Sequence, residues 1–102
     1  MLTIAESDDF SVVWPKYWTA EEFGDFCAWL VLNPEAGDVI PKSGGVRKVR
    51  WSVAGRGKRG GVRVIYFNRL SEKKIWLLTM YVKAVQKDVE TKLVKKLREK
   101  HS

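Results

Sequence analysis

At 102 residues the chain has room for one domain with a single modest core. Apolar residues make up 45% and charged residues 30%, which excludes a disordered chain, and no run reaches the ~18 consecutive apolar residues of a spanning helix. A lone cysteine, Cys27, excludes an internal disulfide and a cysteine-rich zinc site, while the formal net charge of +7 sets the chain apart from neutral globular domains.

The first residues, MLTIAESDDF, lack the basic-then-apolar form of a signal peptide, so a soluble cytoplasmic protein without a membrane partner is expected. FSVVW at 10–14 is rich in β-formers and closed by Pro15, and it predicts an opening strand. Thr19 with Glu22 three residues on forms a capping box, TAEE, and Phe23, Phe26, Cys27, Leu30 and Val31 follow at helical spacing. A helix over 20–32 is therefore predicted, ended by Asn33-Pro34 because the residue before proline is pushed out of the helical region. Cys27 lies on its apolar face and reads as an inert core thiol.

Residues 34–45 hold two prolines and three glycines and read as a connection. VRKVRWSV at 46–53 alternates, with Val49, Trp51 and Val53 on one face and Lys48, Arg50 and Ser52 on the other. AGRGKRGG is a flexible loop too long for a two-residue hairpin turn. VRVIYFN at 62–68 is apolar in both phases and suits a central strand. KIWLLTMYVK at 74–83 reads as the next strand after an SEKK turn, with Thr79, Tyr81 and Lys83 in one register and Trp76, Leu78, Met80 and Val82 in the other. A helix over 88–100 fits an Asp88 cap and the stripe Val89, Leu93, Val94 and Leu97. Three consecutive strands with short connections pair antiparallel. The predicted fold is α+β: an antiparallel sheet with a helix packed on one face and a C-terminal helix, in one domain over 1–102.

Charge is distributed unevenly along this plan. Residues 1–38 carry eight acids against Lys16, a net of −7, and residues 39–102 carry eighteen Lys and Arg against four acids, a net of +14. Residues 39–71 contain nine basic residues and no acid. A field of one sign mounted on strands suits a phosphate backbone, since each neutralised phosphate releases condensed counterions. The other face of the sheet is expected to present Lys48, Arg50, Thr79, Tyr81 and Lys83.

Neither a metal constellation nor a Ser-His-Asp arrangement is available when the only histidine is His101. AGRGKRGG also lacks the spacing of a phosphate-binding P-loop. What the residues allow is RNA cleavage through its own 2′-hydroxyl, with crowded lysine and arginine sharing proton transfer and bracing the phosphate. Tyr81 suits orientation or stacking of a base. From the residues alone, a purely binding basic sheet is favoured over a catalytic one.

NPEAGDVI at 33–40, GGVRKVRW at 44–51, GRGKRGGVRVIYF at 55–67 and LLTMYVK at 77–83 resemble, in this order, the HigB branch of the RelE/ParE superfamily of toxin–antitoxin toxins. The likeness implies the small RelE-like α+β domain. It also implies ribosome-dependent cleavage of translated mRNA without metal or cofactor, until an antitoxin binds. The implied partners are a cognate antitoxin, HigA-like and DNA-binding, in a hetero-oligomer with the toxin, and the ribosome with its mRNA. Lys48, Arg63, Lys83 and Tyr81 match positions that the family uses for catalysis. Arg56, Lys58 and Arg59 match the family's basic loop, which the resemblance assigns to RNA backbone; Arg50 matches a basic position on the first hairpin strand, and it and Arg47 are expected to bind RNA beside that loop. The match departs after Lys83, where relatives continue with an Asn-Glu pair and an Asp-Leu but this chain reads AVQKDV. A ParE-like gyrase poison and a non-catalytic RNA-binding module are the alternatives on the same fold.

Overall fold

The computed structural model describes residues 2–52, 61–82 and Lys95. The basic loop residues Arg56, Lys58 and Arg59, and Lys83 with the helix expected over 88–100, fall outside that description, apart from an exposed Lys95 in helical conformation.

The chain opens with a strand that its sequence did not announce, β1 (Thr3–Glu6), followed at once by a short helix, α1 (Asp8–Val13). The strand expected over 10–14 is thus helical. Local chemistry outweighs the β-formers there: the Ser7 side chain accepts from the Phe10 N–H, and Asp8 and Asp9 sit in the first turn, where the helix dipole favours negative charge. A strand would have buried Phe10 and Val12 together, whereas the helix buries Phe10 completely and leaves Val12 66% exposed. A 3-10 turn (Trp14–Lys16) containing Pro15 leads towards α2 (Ala20–Leu32), so residues 8–32 hold two helices rather than one.

α2 begins and ends as its sequence predicts. Thr19 accepts from the Glu22 N–H, the Glu22 carboxylate accepts from the Thr19 N–H, and Asn33 terminates the helix. Its inner face carries Phe26 and Leu30, both fully buried, with Phe23 and Cys27 packed beside them. Aromatic contacts run from helix to sheet: Trp14 stacks on Phe23 at 4.3 Å, Trp18 meets Phe26 at 5.1 Å, and Phe26 meets Trp51 edge-on at 5.2 Å. Cys27 is half-buried, and burial first, then the nearby Glu6 carboxylate, push its thiol from 9.0 to about 11.

That shift has a sign. The folded pKa lies above the unfolded value, so the contribution from keeping Cys27 protonated is fully present below about pH 9 and lost as pH rises through about 11. Thermal unfolding followed from pH 8 upward is expected to fall less steeply in Cys27→Ala than in the parent chain. Equal slopes would sink the assignment.

The remaining strands are β2 (Asp38–Val39), β3 (Val46–Trp51), β4 (Val62–Arg69) and β5 (Lys74–Val82). They form one sheet in the order β1-β5-β4-β3-β2. β4 is central, as its two-phase apolarity predicts, and the pairs among β2, β3, β4 and β5 are antiparallel. β1 joins the far edge in parallel with β5, Thr3 opposite Lys74 and Glu6 opposite Leu77, which adds one parallel pair to the expected antiparallel sheet. β4 and β5 are joined by a 3-10 turn (Leu70–Glu72) and Lys73, which takes a left-handed conformation.

The helices cover one face of the sheet, where Val49, Val62, Val64, Tyr66, Ile75, Leu77 and Met80 meet Phe10, Trp18, Phe26 and Leu30. The connection after α2 is tied to this sheet by Tyr66, whose hydroxyl accepts from the Gly37 N–H (3.1 Å) and donates to the Pro34 carbonyl (3.0 Å). Asn68 also donates to the Pro34 carbonyl, at 2.9 Å. Burial pushes the Tyr66 phenol above its ordinary value, consistent with a hydroxyl that keeps its proton to donate.

Candidate nucleic-acid interface

The face away from the helices is built by alternation. In β3, Val49 and Trp51 turn to the helices, which sends Lys48 and Arg50 to the opposite side, as the sequence pattern predicts. In β4, Val62, Val64 and Tyr66 turn to the helices and Arg63, Ile65 and Phe67 turn away.

Pairing then assembles what no single strand shows. Arg50 lies directly opposite Arg63, and Arg63 directly opposite Tyr81, so the three form one rung across β3, β4 and β5. The neighbouring rung runs Asp38, Lys48, Ile65, Thr79 across β2 to β5. Directly opposed residues share a face with Cβ atoms roughly 4.5–5.5 Å apart. Arg50 and Arg63 are therefore two like charges held side by side, an arrangement that costs stability unless an anion sits with them. Arg63 is half-buried, and its Nη1 is wholly buried with no hydrogen-bond partner among the described residues. A guanidinium nitrogen removed from water without an acceptor is a donor in waiting.

This face is basic only at one end. At its other end Ile40, Val46, Ile65 and Leu78 form a second buried core cluster with Phe67 and Trp76 packed against it, and Tyr81 belongs to that cluster at 9% exposure. Thr79, expected as an outward polar residue, is 5% exposed. Lys48 is half-buried and Arg50 exposed. Within β2 to β5, Asp38 is the only acid.

Of the residues singled out from sequence, Lys48, Arg50, Arg63 and Tyr81 are brought together. Arg47 is not. It belongs to the alternate phase of β3, opposite Tyr66, and its Nη1 donates to the Gly37 carbonyl at 2.7 Å and the Glu35 carbonyl at 3.3 Å. That side chain fastens the 34–37 connection to the sheet, on the face away from Lys48 and Arg50. Arg56, Lys58, Arg59 and Lys83 lie outside the described residues.

Sequence reasoning missed how Tyr81 reaches its rung. β5 does not alternate evenly: Ile65 faces Thr79 while Tyr66 faces Leu77, so Leu78 is an extra residue. Trp76 and Leu78 consequently share a face with Tyr81, whereas Met80 joins Ile75 and Leu77 on the helix side. The only signal in the sequence was the unbroken apolarity of WLL, which fits either phase.

No family model matches the sequence. Among solved structures, a variant of E. coli toxin RelE with two arginines replaced by alanine, in the free state, superposes with a TM-score of 0.68 at 13% identity, over 93% of this chain and 96% of that one. The isolated E. coli RelE toxin gives a TM-score of 0.62 at 14% identity, over 95% and 99% of the two chains. Near-complete coverage of both partners at such low identity is a likeness of architecture: this chain has the RelE fold.

Proposed function

We propose that this chain is the toxin of a type II toxin–antitoxin system, HigB-like within the RelE/ParE superfamily, and that it cleaves translated mRNA at the ribosome as a metal-independent endoribonuclease. The observation that carries the reading is the Arg50–Arg63–Tyr81 rung with Lys48 on the next rung, a cationic cluster holding a buried arginine nitrogen that has no hydrogen-bond partner among the described residues. The RelE fold on which it is mounted supports the same reading.

The chemistry fits these side chains. The 2′-oxygen attacks the adjacent phosphorus, its proton passes to a base, the bond to the 5′-oxygen breaks, and that oxygen takes up a proton. A cyclic phosphate and a 5′-hydroxyl result. Charge accumulates on the phosphorane oxygens, where Arg63 and Arg50 offer fixed donors. Lys48 serves proton transfer, Tyr81 orients the base, and Lys83 completes the catalytic set by resemblance. Arg56, Lys58 and Arg59 hold RNA backbone, a contact worth more at low salt. The cognate antitoxin, HigA-like, covers or distorts this face with an acidic or amphipathic segment.

Induced expression in a bacterium tests the proposal. Growth arrest with toe-prints of cleaved mRNA on ribosomes, and no cleavage of the same mRNA without ribosomes, is the expected result. An SOS response with intact mRNA would indicate a gyrase poison instead, and unchanged growth would leave a non-catalytic RNA-binding module.

A further inference from the structure

β5 carries one residue more than β4 can pair, and the position of Tyr81 depends on where that residue sits. The bulge at Leu78 reverses the alternation of side chains, so that Tyr81 falls opposite Arg63 and away from the helices. A slip that placed Leu78 opposite Ile65 would set Met80 opposite Arg63 and Tyr81 opposite Val62, turning the tyrosine towards the helices. Both registers bury apolar side chains, because β5 is apolar in both phases. Hydrophobic burial therefore does little to choose between them.

Ser7 sits at the bulge. It is 1% exposed, and its hydroxyl donates to the Leu78 carbonyl at 2.8 Å while accepting from the Phe10 N–H at 3.0 Å. Its own N–H donates to the Leu77 carbonyl at 3.0 Å. The β1 ladder ends at Glu6 opposite Leu77, so β1 delivers Ser7 to the bulge and α1 begins from it. One small side chain thus caps a helix and holds the carbonyl of the extra residue 71 positions away.

We propose that Ser7 is a positioning residue: it pins the bulge at Leu78 and thereby keeps Tyr81 in the rung with Arg63 and Arg50. The effect on cleavage rests on the function proposed above, whereas the effect on strand register does not.

Two variants separate capping from pinning, Ser7→Ala and Ser7→Gly, since glycine is tolerated at an N-cap but lacks the hydroxyl. Backbone NOEs between Arg63 and Tyr81 are expected to weaken in both, with Arg63–Met80 contacts appearing. If Ser7→Ala does not fold, Ser7→Gly carries the measurement. Cleavage is expected to fall by at least about 10²-fold, since a misplacement of only about an ångström already costs that much and the slip turns Tyr81 to the other face. In a Tyr81→Leu background, Ser7→Gly should cause no additional loss, because the residue through which it acts is gone. Unchanged Arg63–Tyr81 contacts in Ser7→Gly, or a further full loss of cleavage on top of Tyr81→Leu, would overturn the proposal. If the parent chain cleaves no RNA, the proposed function fails and the NOEs alone decide the role of Ser7.

Discussion

Arg63→Ala is expected to reduce ribosome-dependent mRNA cleavage by about 10²–10³-fold, the loss typical of removing one preorganised donor to a developing oxyanion. The same substitution should leave the unfolding midpoint close to that of the parent chain. Arg63 faces a like charge in Arg50 and carries a buried nitrogen without a partner among the described residues, so the folded chain gains little from it. Activity lost without stability lost marks a side chain kept for a ligand. Arg63→Lys should rescue only in part, because a point charge cannot reproduce the planar fork that grips two phosphate oxygens. Initial cleavage rates in a cell-free translation system and urea unfolding of the same samples would check both halves. Cleavage at the parental rate would remove Arg63 from the site, and a large drop in stability would make it a structural residue.

Gly61→Ala should act the other way, through the fold, at a cost of roughly 2–5 kcal/mol. Gly61 holds φ at +69°, a left-handed conformation that side chains disfavour, and a Cβ there would collide with the Trp51 carbonyl and crowd Ser52. That carbonyl belongs to Trp51, the last residue of β3, opposite Val62 and one position from the Arg50–Arg63 rung. Relieving the collision means separating β3 from β4 where the two arginines meet. Urea unfolding would show a lower midpoint, and cleavage should fall along with it even where the variant remains folded. A variant as stable as its parent would mean that the β3–β4 junction opens more easily than its geometry implies.

Much of this architecture can be read from single segments. The TAEE box, the apolar face of α2 and Asn33-Pro34 define that helix to the residue, because caps and stops are local chemistry. The alternation of VRKVRW places Lys48 and Arg50 away from the core, and VRVIYFN is the central strand, as its apolarity in both phases predicts. FSVVW misled for a local reason as well: Ser7 and the two aspartates after it start a helix that intrinsic β-preference would oppose. β1 left no distinctive pattern because TIAE is short and becomes a strand only by pairing with β5, 71 positions away.

The candidate site divides along the same line. Which residue types are available, basic side chains with Tyr81 and no usable histidine, follows from composition and periodicity, and so does the side of β3 on which Lys48 and Arg50 stand. Long-range pairing settles the rest. That Arg50 meets Arg63, that Arg63 meets Tyr81, and that Arg47 is spent on the carbonyls of Gly37 and Glu35 depend on strand register and on a connection folding back over the sheet. Register in a strand apolar on both faces is not written in its own residues. It is chosen by a hydroxyl 71 positions away, because only the assembled fold brings Ser7 to the bulge at Leu78.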